Sequence, residues 1–547
     1  MTNPENEFDP FGLQPESLNP DDLPEQDGEA TPASIVEDAM NKDVSGDLKS
    51  IMGQMNMMPD EDLEKALADD LDEAGGLDSS DDFDSDKGGF GFPPAPSEAA
   101  TGARYEQIEH QILGRVPEHK VQPSLERVAM AMDLLGEPQR TYRSVHLTGT
   151  NGKTSTARMI ASLLMASGRK VGRYTSPHLN TMRERISVND APVSEAAFVE
   201  AYEDVAPYLA LVDEHSKRHD NPQMSFFEVL TVTALAAFAD VPVDAAVIEV
   251  GMGGQWDATN VVDADVAVIG PIAHDHEKWL GSSLVDIARE KVGIIKPDSF
   301  VISAAQEPEV MEIIRSKADE VGAVLRVVGE DLHLLDRKLA VGGQVISVQT
   351  PAAQYNDIFL PLLGPHQADN AVLALAAMEA FNGGRSIEPA IVEEGFATAT
   401  SPGRLEVVRS SPSIVIDSAH NPHGAHALAT ALTESFDYTN IAAVYSAMAD
   451  KDVEATLSEL EPVVEDIVIT SMNTPRAMKV EELAEIARDV FGEDRVFVEP
   501  QLLDAIDKAV ERAELGNDPA GSNGVVICGS VVLAGHAREL IVRDDRK

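Results

Sequence analysis

Gly149-Thr150-Asn151-Gly152-Lys153-Thr154 follows a short strand-like run at residues 144–147 and opens a helical pattern. Glycines let successive backbone N–H groups turn toward phosphate oxygens, and the N-terminus of the following helix adds partial positive charge. In that setting Lys153 neutralises β- and γ-phosphates, and the Thr154 hydroxyl reaches phosphate or Mg²⁺. Thr150, Asn151, Gly152, Lys153, Thr154 and Ser155 therefore form a candidate nucleotide-binding set. The spacing G-x-x-G-K-T is two residues shorter than the usual phosphate loop. The plainer alternative is an ordinary glycine-containing turn between strand and helix.

Other residues carry possible chemistry singly. Glu228 sits inside the apolar run Phe226-Phe227-Glu228-Val229-Leu230, where a carboxylate must be paired, protonated or bound to a metal. In Ala273-His274-Asp275-His276-Glu277, either histidine is a metal ligand or a satisfied loop residue. Lys291, in a helical pattern, reads on its own as a solvated surface residue. Asp417 ends a strand, where an open parallel sheet places ligand contacts, although turn and cap chemistry would use the same residue.

The elements that must position these residues are those of an α/β protein. Short β-branched runs at residues 145–148, 245–250, 266–269 and 299–303 alternate with helical patterns, as in parallel sheets covered by helices. Residues 154–166 read as a helix with Met159, Ile160, Leu163 and Leu164 on one face and Gly168 as its stop. After Pro402-Gly403 a second α/β block begins, with strand candidates at residues 413–417, 442–445, 466–470, 496–498 and 524–528. Order is expected to begin near Tyr105.

The 547 residues carry a formal net charge of −52, which argues against a nucleic-acid or anionic-membrane partner. Residues 1–100 hold 27 acidic residues against four lysines, −23 of the total, and cannot bury enough apolar surface to offset chain entropy. They are expected to be disordered, with residues 35–71 as either transient helix or a short amphipathic docking motif. The N-terminus lacks the apolar core of a secretory signal, and no apolar stretch approaches the ~18 residues of a membrane span. The single cysteine, Cys528, excludes an intramolecular disulfide and fits a reducing compartment. A soluble, cytoplasmic monomer is expected.

The run His146-Leu147-Thr148-Gly149-Thr150-Asn151-Gly152-Lys153-Thr154-Ser155 resembles the ATP loop of the Mur ligase superfamily. Within it, residues 105–540 resemble the folylpolyglutamate synthase/dihydrofolate synthase family. The motifs that carry the resemblance, in order, are Ser176-Pro177-His178-Leu179, Phe226-Phe227-Glu228, Glu249-Val250-Gly251-Met252-Gly253-Gly254, Asp257-Ala258-Thr259-Asn260, Asp275-His276, Ala288-Arg289-Glu290-Lys291-Val292-Gly293, His366-Gln367 with Asn370, Pro402-Gly403-Arg404, Asp417-Ser418-Ala419-His420-Asn421-Pro422 and Ala449-Asp450-Lys451-Asp452. Each is weak alone; ten in sequence leave little room for chance.

The resemblance implies an acidic extension over 1–104, a Mur-ligase-type P-loop ATPase domain with a mainly parallel sheet over 105–401, and a C-terminal Rossmann-like α/β ligase domain over 402–547. It implies ATP-dependent addition of L-glutamate to dihydropteroate or (tetrahydro)folate through an acyl phosphate. By the same resemblance Ser176, Glu228 and His276 hold Mg²⁺, and Lys291 is carbamylated and holds a second ion. Asn370, Arg404, Asp417 and His420 complete the ATP site, with Lys153, Lys291 and His420 as catalytic candidates. Gln122, Pro123, Ser124 and Leu125 and the guanidinium of Arg185 would meet the pterin-bearing substrate, a structural ion pair being the alternative for Arg185.

Three positions depart from the family pattern. Thr154 stands where folate ligases often carry Gly, Gln255-Trp256 replaces Arg-Leu, and Ser418 replaces Gly. Thr154 keeps open a Mur-type peptidoglycan ligase using the same ATP machinery. A non-catalytic scaffold with the acidic extension as its working part is the reading from a different class.

Overall fold

The computed structural model describes residues 98–544 except 119, 121 and 516–521. The acidic stretch over 1–97, including the segment 35–71, lies outside the described residues.

The first lobe is built on eight strands: β1 (Arg143–Thr148), β2 (Val171–Tyr174), β3 (Ile186–Val188), β4 (Ala191–Pro192), β5 (Ala245–Glu249), β6 (Val266–Ile269), β7 (Phe300–Ser303) and β8 (Val324–Val327). Their order is β4-β3-β2-β5-β1-β6-β7-β8. All neighbours pair in parallel except β2 with β3 and β3 with β4, which form an antiparallel edge. Every residue of β5 and β6 is buried, so these strands read as continuous apolar runs, as expected for strands covered on both faces.

Helices Lys153–Ala166 and Pro365–Phe381 cover one face, meeting Val145, Leu147, Val247 and Val268. Helices Glu98–Leu113, Glu195–Arg218 and Phe226–Asp240 cover the other around Ala246 and Ile248. The first of these begins at Glu98, ahead of the expected start near Tyr105. Tyr105, Ile108 and Ile112 anchor it, with the Tyr105 ring edge-on to Phe198 at 5.4 Å, and the helix propagates upstream from that contact.

An element the sequence pattern did not reveal is an antiparallel sheet of β9 (His333–Ala340), β10 (Gly343–Gln349) and β11 (Gln354–Leu360). Register shifts near Ser347 and Val348 break its period-two alternation, which hides it from a periodicity reading. The first lobe thus combines the expected mainly parallel sheet, with its antiparallel edge, and this separate antiparallel sheet.

The second lobe carries β12 (Glu406–Ser410), β13 (Ser413–Ile416), β14 (Asn440–Tyr445), β15 (Asp466–Ile469), β16 (Val496–Val498) and β17 (Asn523–Cys528). The order is β12-β13-β17-β14-β15-β16, parallel except for the edge strand β12. Helices Pro422–Ser435, Val453–Leu460 and Val480–Phe491 pack on one face, and Leu502–Ala513 with Val531–Asp544 on the other. Among the described residues no helix is long and apolar enough to cross a membrane.

Candidate active site

The segments that follow the C-terminal ends of β1, β2, β5 and β6 in the first lobe and β13, β14 and β17 in the second all reach one cleft of about 1070 Å³. This is where open parallel sheets place ligands, because chain direction reverses there and loops are free of the ladder.

At the end of β1 the phosphate loop turns into helix Lys153–Ala166. Gly152, at φ +80°, caps the helix in a conformation that L side chains rarely adopt. A Cβ there would stand 2.7 Å from the Asn370 amide oxygen, so helix Pro365–Phe381 is pressed directly onto the loop. The Lys153 ammonium folds back to donate to the carbonyls of Gly149 and Thr150, at 2.9 and 3.1 Å. Burial lowers its pKa, against the raising influence of Glu249 and Asp275. The Thr154 hydroxyl donates to Glu249, 2.9 Å from Oε1 and 3.0 Å from Oε2. Ser155 faces the other way: its hydroxyl meets that of Ser401 at 2.8 Å and accepts from Gln367 at 3.3 Å.

Glu249 is the residue the sequence reading undervalued. It ends β5, is 1% exposed, and receives the Ser176 backbone N–H at 3.4 Å. Burial pushes its carboxyl up to about 7 despite nearby Lys153. A lone acid ending an otherwise apolar strand, just before a glycine run, is the signal that could have marked it. Glu228 also lines the cleft, but both its oxygens are committed. Arg127 Nε donates to one at 2.9 Å and the Ser225 N–H to the other at 2.7 Å, closing a capping box on helix Phe226–Asp240. That pairing accounts for a carboxylate in an apolar run without requiring a metal, while Glu249 is the carboxylate that meets Thr154 of the phosphate loop.

Lys291 is not a surface lysine. It is 4% exposed and donates to the Gly149 carbonyl at 2.9 Å, beneath the phosphate loop rather than lining the cleft. Gly254 allows this placement: a Cβ there would meet the carbonyl oxygens of Glu290 and Lys291 at 2.6 and 2.9 Å, so only glycine admits the helix end so closely. Burial, with Lys153 adding to it, brings the Lys291 amine down to about 7.

Asp275 ties the two lobes. Lys451 donates to its Oδ1 at 2.6 Å, Asn421 donates to its Oδ2 at 2.9 Å, and His420 Nε2 stands 3.6 Å from Oδ2. Burial alone would raise its carboxyl, but His420, His276 and Lys451 hold it well below the usual carboxylate range. Asn421 also exchanges amide hydrogen bonds with Asn151 of the phosphate loop, at 3.0 and 3.2 Å. His276 lines the cleft and its imidazole is brought down to about 3 by burial. His274, which pairs with Glu277 at 2.9 Å, also lines the cleft but is more exposed than His276.

From the second lobe, Arg404 reaches the cleft near Lys153 and Glu249. Asp417 lines it too, while accepting the backbone N–H groups of Leu405 and Ala419 at 2.8 and 2.7 Å, so the carboxylate also shapes the turn. Ser418 donates to the Gly403 carbonyl at 2.9 Å, which replaces backbone freedom with a tie to the interlobe linker.

The pterin-site expectations fare unevenly. Gln122 and Ser124 line the cleft; Pro123 and Leu125 do not, and Leu125 instead N-caps helix Glu126–Leu134. Gln122 Oε1 is buried without a hydrogen-bond partner. Arg185 is 2% exposed, held by Glu118 through Nη1 at 2.8 Å and Nη2 at 3.3 Å, donates to His178 at 2.9 Å, and lies outside the cleft lining. Its ion pair with Glu118 supplies the fixed partner that a guanidinium buried this deeply requires.

Among the described residues no three His, Cys, Asp or Glu side chains stand close enough to cage a metal ion. The donors present, the Ser176 hydroxyl, the Glu249 carboxylate and the His276 imidazole, fit a hard cation that takes its other ligands from phosphate and water.

Two families match the chain: "Mur ligase middle domain" over residues 147–378 and "Mur ligase, glutamate ligase domain" over residues 403–531. It is 48% identical over 473 residues to a dihydrofolate synthase/folylpolyglutamate synthase of Mycobacterium tuberculosis, covering 83% of this chain and 96% of that protein. It is 33% identical over 417 residues to the Escherichia coli protein of the same description, covering 76% and 91%. The fold matches the M. tuberculosis folylpolyglutamate synthase complexed with ADP and AMPPCP at TM-score 0.77 and 48% identity, over 81% of this chain and 99% of that one. It matches E. coli FolC in complex with DHPP and ADP at TM-score 0.69 and 30% identity, over 82% and 98%.

Proposed function

The chain belongs to the dihydrofolate synthase/folylpolyglutamate synthase family of Mur ligases, and from that premise we propose how its cleft does the chemistry. It is an ATP-dependent ligase that adds L-glutamate to folates. The observation that carries the reading of the site is the convergence of Lys153, Glu249, Ser176 and Arg404 on one cleft reached from both sheets.

The substrate carboxylate attacks the γ-phosphorus of ATP, releasing ADP and forming an acyl phosphate. The glutamate amine then attacks the acyl carbon, and the tetrahedral intermediate collapses with loss of inorganic phosphate and a proton. Phosphoryl transfer needs positioning and charge neutralisation more than a protein nucleophile. Lys153, the backbone N–H groups of residues 151–155 and Arg404 supply that positive field, and Thr154 holds the Glu249 carboxylate in place. Asn370 and Asp417 frame the nucleotide, and His420 faces the γ-phosphate from the second lobe. Closure of the lobes, held by Lys451 and Asn421 on Asp275, keeps water from the acyl phosphate.

Ser176, Glu249 and His276 would hold Mg²⁺, and Lys291, once carbamylated, a second ion. Bound Mg²⁺ neutralises charge on the transferring phosphoryl group. Lys291 has what carbamylation requires, a buried amine brought down to about 7 and so partly neutral near pH 7. Gln122 and Ser124 place the pterin-bearing substrate in the cleft. The enzyme works as a monomer in the cytoplasm, where its buried Cys528 remains a thiol.

The test is ADP release by the purified full-length chain with dihydropteroate or tetrahydrofolate, each with L-glutamate. No release with either sinks the folate reading, and release with a UDP-muramoyl peptide selects the peptidoglycan alternative.

A further inference from the structure

The loop after β2 carries His178, which is partly buried and lines the cleft together with Ser176, Thr154, Glu249 and Arg404. On one side of its ring, Arg185 Nε donates to Nδ1 at 2.9 Å. A guanidinium has only donors, so Nδ1 must accept, and an imidazole that accepts at Nδ1 carries its proton at Nε2. The ring is thereby a neutral N–H donor. Its Nε2 has no hydrogen-bond partner among the described residues. Arg185 lies outside the cleft lining, so the nitrogen on the opposite side of the ring is turned away from Arg185 and toward the cleft.

Both the ring and its loop are held. Glu118 fixes the Arg185 guanidinium through Nη1 at 2.8 Å and Nη2 at 3.3 Å, and the guanidinium lies 5.0 Å over the Phe226 ring, which gives Nε–H a single direction. Glu184 gathers the backbone N–H groups of Leu179, Asn180 and Thr181, pinning the chain directly after His178. The second lobe presses on the same stretch: a Cβ at Gly535 would stand 2.2 Å from the Leu179 carbonyl oxygen, so only glycine admits the loop there. A donor fixed before the substrate arrives needs no reorganisation during the reaction.

Building on the ligase chemistry proposed above, we infer that His178 Nε2–H donates to the substrate carboxylate oxygen that is not phosphorylated, with Arg185 as its positioning residue. Once the other oxygen takes the γ-phosphoryl group, this oxygen is the carbonyl of the acyl phosphate. As the glutamate nitrogen bonds to the acyl carbon, the C=O π pair moves onto the same oxygen, and the oxyanion keeps the His178 hydrogen bond. The pair returns as the bond to phosphate breaks, and the proton lost by the amine leaves on the phosphate. His178 keeps its own proton throughout.

Two substitutions separate this role from a structural one. Glutamine places an amide N–H near the position of Nε2, whereas asparagine places its amide oxygen near Nδ1, where it accepts from Arg185. With tetrahydrofolate and L-glutamate, His178→Ala is expected to lower kcat about a hundredfold, the scale of one oxyanion donor, with the KM for ATP within about threefold. His178→Gln should recover about tenfold of that loss and His178→Asn should not, while Arg185→Gln should lower kcat about tenfold or more by freeing the tautomer. Recovery by asparagine equal to or better than by glutamine, or an unchanged kcat in His178→Ala, would overturn the inference. A second readout needs no turnover. In full-length protein labelled with ¹⁵N-histidine, the His178 ring, identified from the spectrum of any folded variant, is expected to show Nε2–H and a bare Nδ1, and to move toward a tautomer mixture in Arg185→Gln. Nδ1–H in the wild type would overturn the inference as well. ADP release by the wild type with kcat unchanged in His178→Ala fails the inference alone, whereas no ADP release by the wild type fails the ligase reading and the inference together.

Discussion

Lys451 Nζ and Asp275 Oδ1, 176 residues apart in the chain, meet at 2.6 Å with both side chains 9% exposed. One comes from the second lobe and the other from the first, so this buried pair exists only when the lobes are together. Removing one partner of a buried pair strands the other, at a cost of about 3–5 kcal/mol. Lys451→Met is therefore expected to lower kcat/KM by at least tenfold, with a larger radius of gyration in small-angle scattering. Unchanged kinetics and an unchanged scattering profile would remove the pair from the closure argument.

The two buried carboxylates of the cleft should separate cleanly. Glu249→Gln is expected to lower kcat by about a hundredfold or more, the scale of losing a charged group aimed at the reacting centre. Glu228→Gln should instead lower stability, by about 1–3 kcal/mol, by leaving Arg127 short of its partner. Parallel denaturation and Mg²⁺-dependence measurements check this, and a reversed pattern would restore Glu228 to the metal site.

Lys291 carries a pH signature. It is charged in the unfolded chain below about pH 10.4, and neutral in the fold above about 7. Between these values unfolding takes up a proton, so this group makes stability rise with pH, by about 1.4 kcal/mol per unit at most. In CO₂-depleted buffer the wild type should gain stability from pH 7 to 9 relative to Lys291→Met. Reactivation by bicarbonate should grow over the same range, because only the neutral amine captures CO₂. Activity lost in Lys291→Ala should return in part with short carboxylic acids; no rescue and a flat stability difference would set the carbamate aside.

Arg185→Gln tests a structural role against a substrate role. The loss of its hydrogen bonds to Glu118 is expected to cost about 1.5–3 kcal/mol of stability. The KM for the pterin-bearing substrate should stay within about threefold. A large rise in KM at unchanged stability would return Arg185 to the substrate.

Much was legible along the chain because it is local. The phosphate loop is contiguous, and its glycines, lysine and following helix declare a phosphate site without tertiary information. Strands β5, β6 and β13 stood out as short apolar runs because burial on both faces leaves no alternation to interpret. The antiparallel sheet of β9 to β11 did not, since bulges disrupt its period.

What only the tertiary structure decided was the partner of each ionisable residue. Glu228 and Glu249 are both acids in apolar surroundings, and nothing in their neighbours along the chain says that Arg127 neutralises the first while the second faces Thr154. Lys291 looks like a surface lysine until Gly254, 37 positions earlier, is seen to admit its helix end. The sequence by itself determined that this chain binds a nucleotide phosphate and which ligase family it resembles. Which charges meet depended on long-range packing, because the fate of an ionisable group is set by distance and desolvation in space rather than by spacing along the chain.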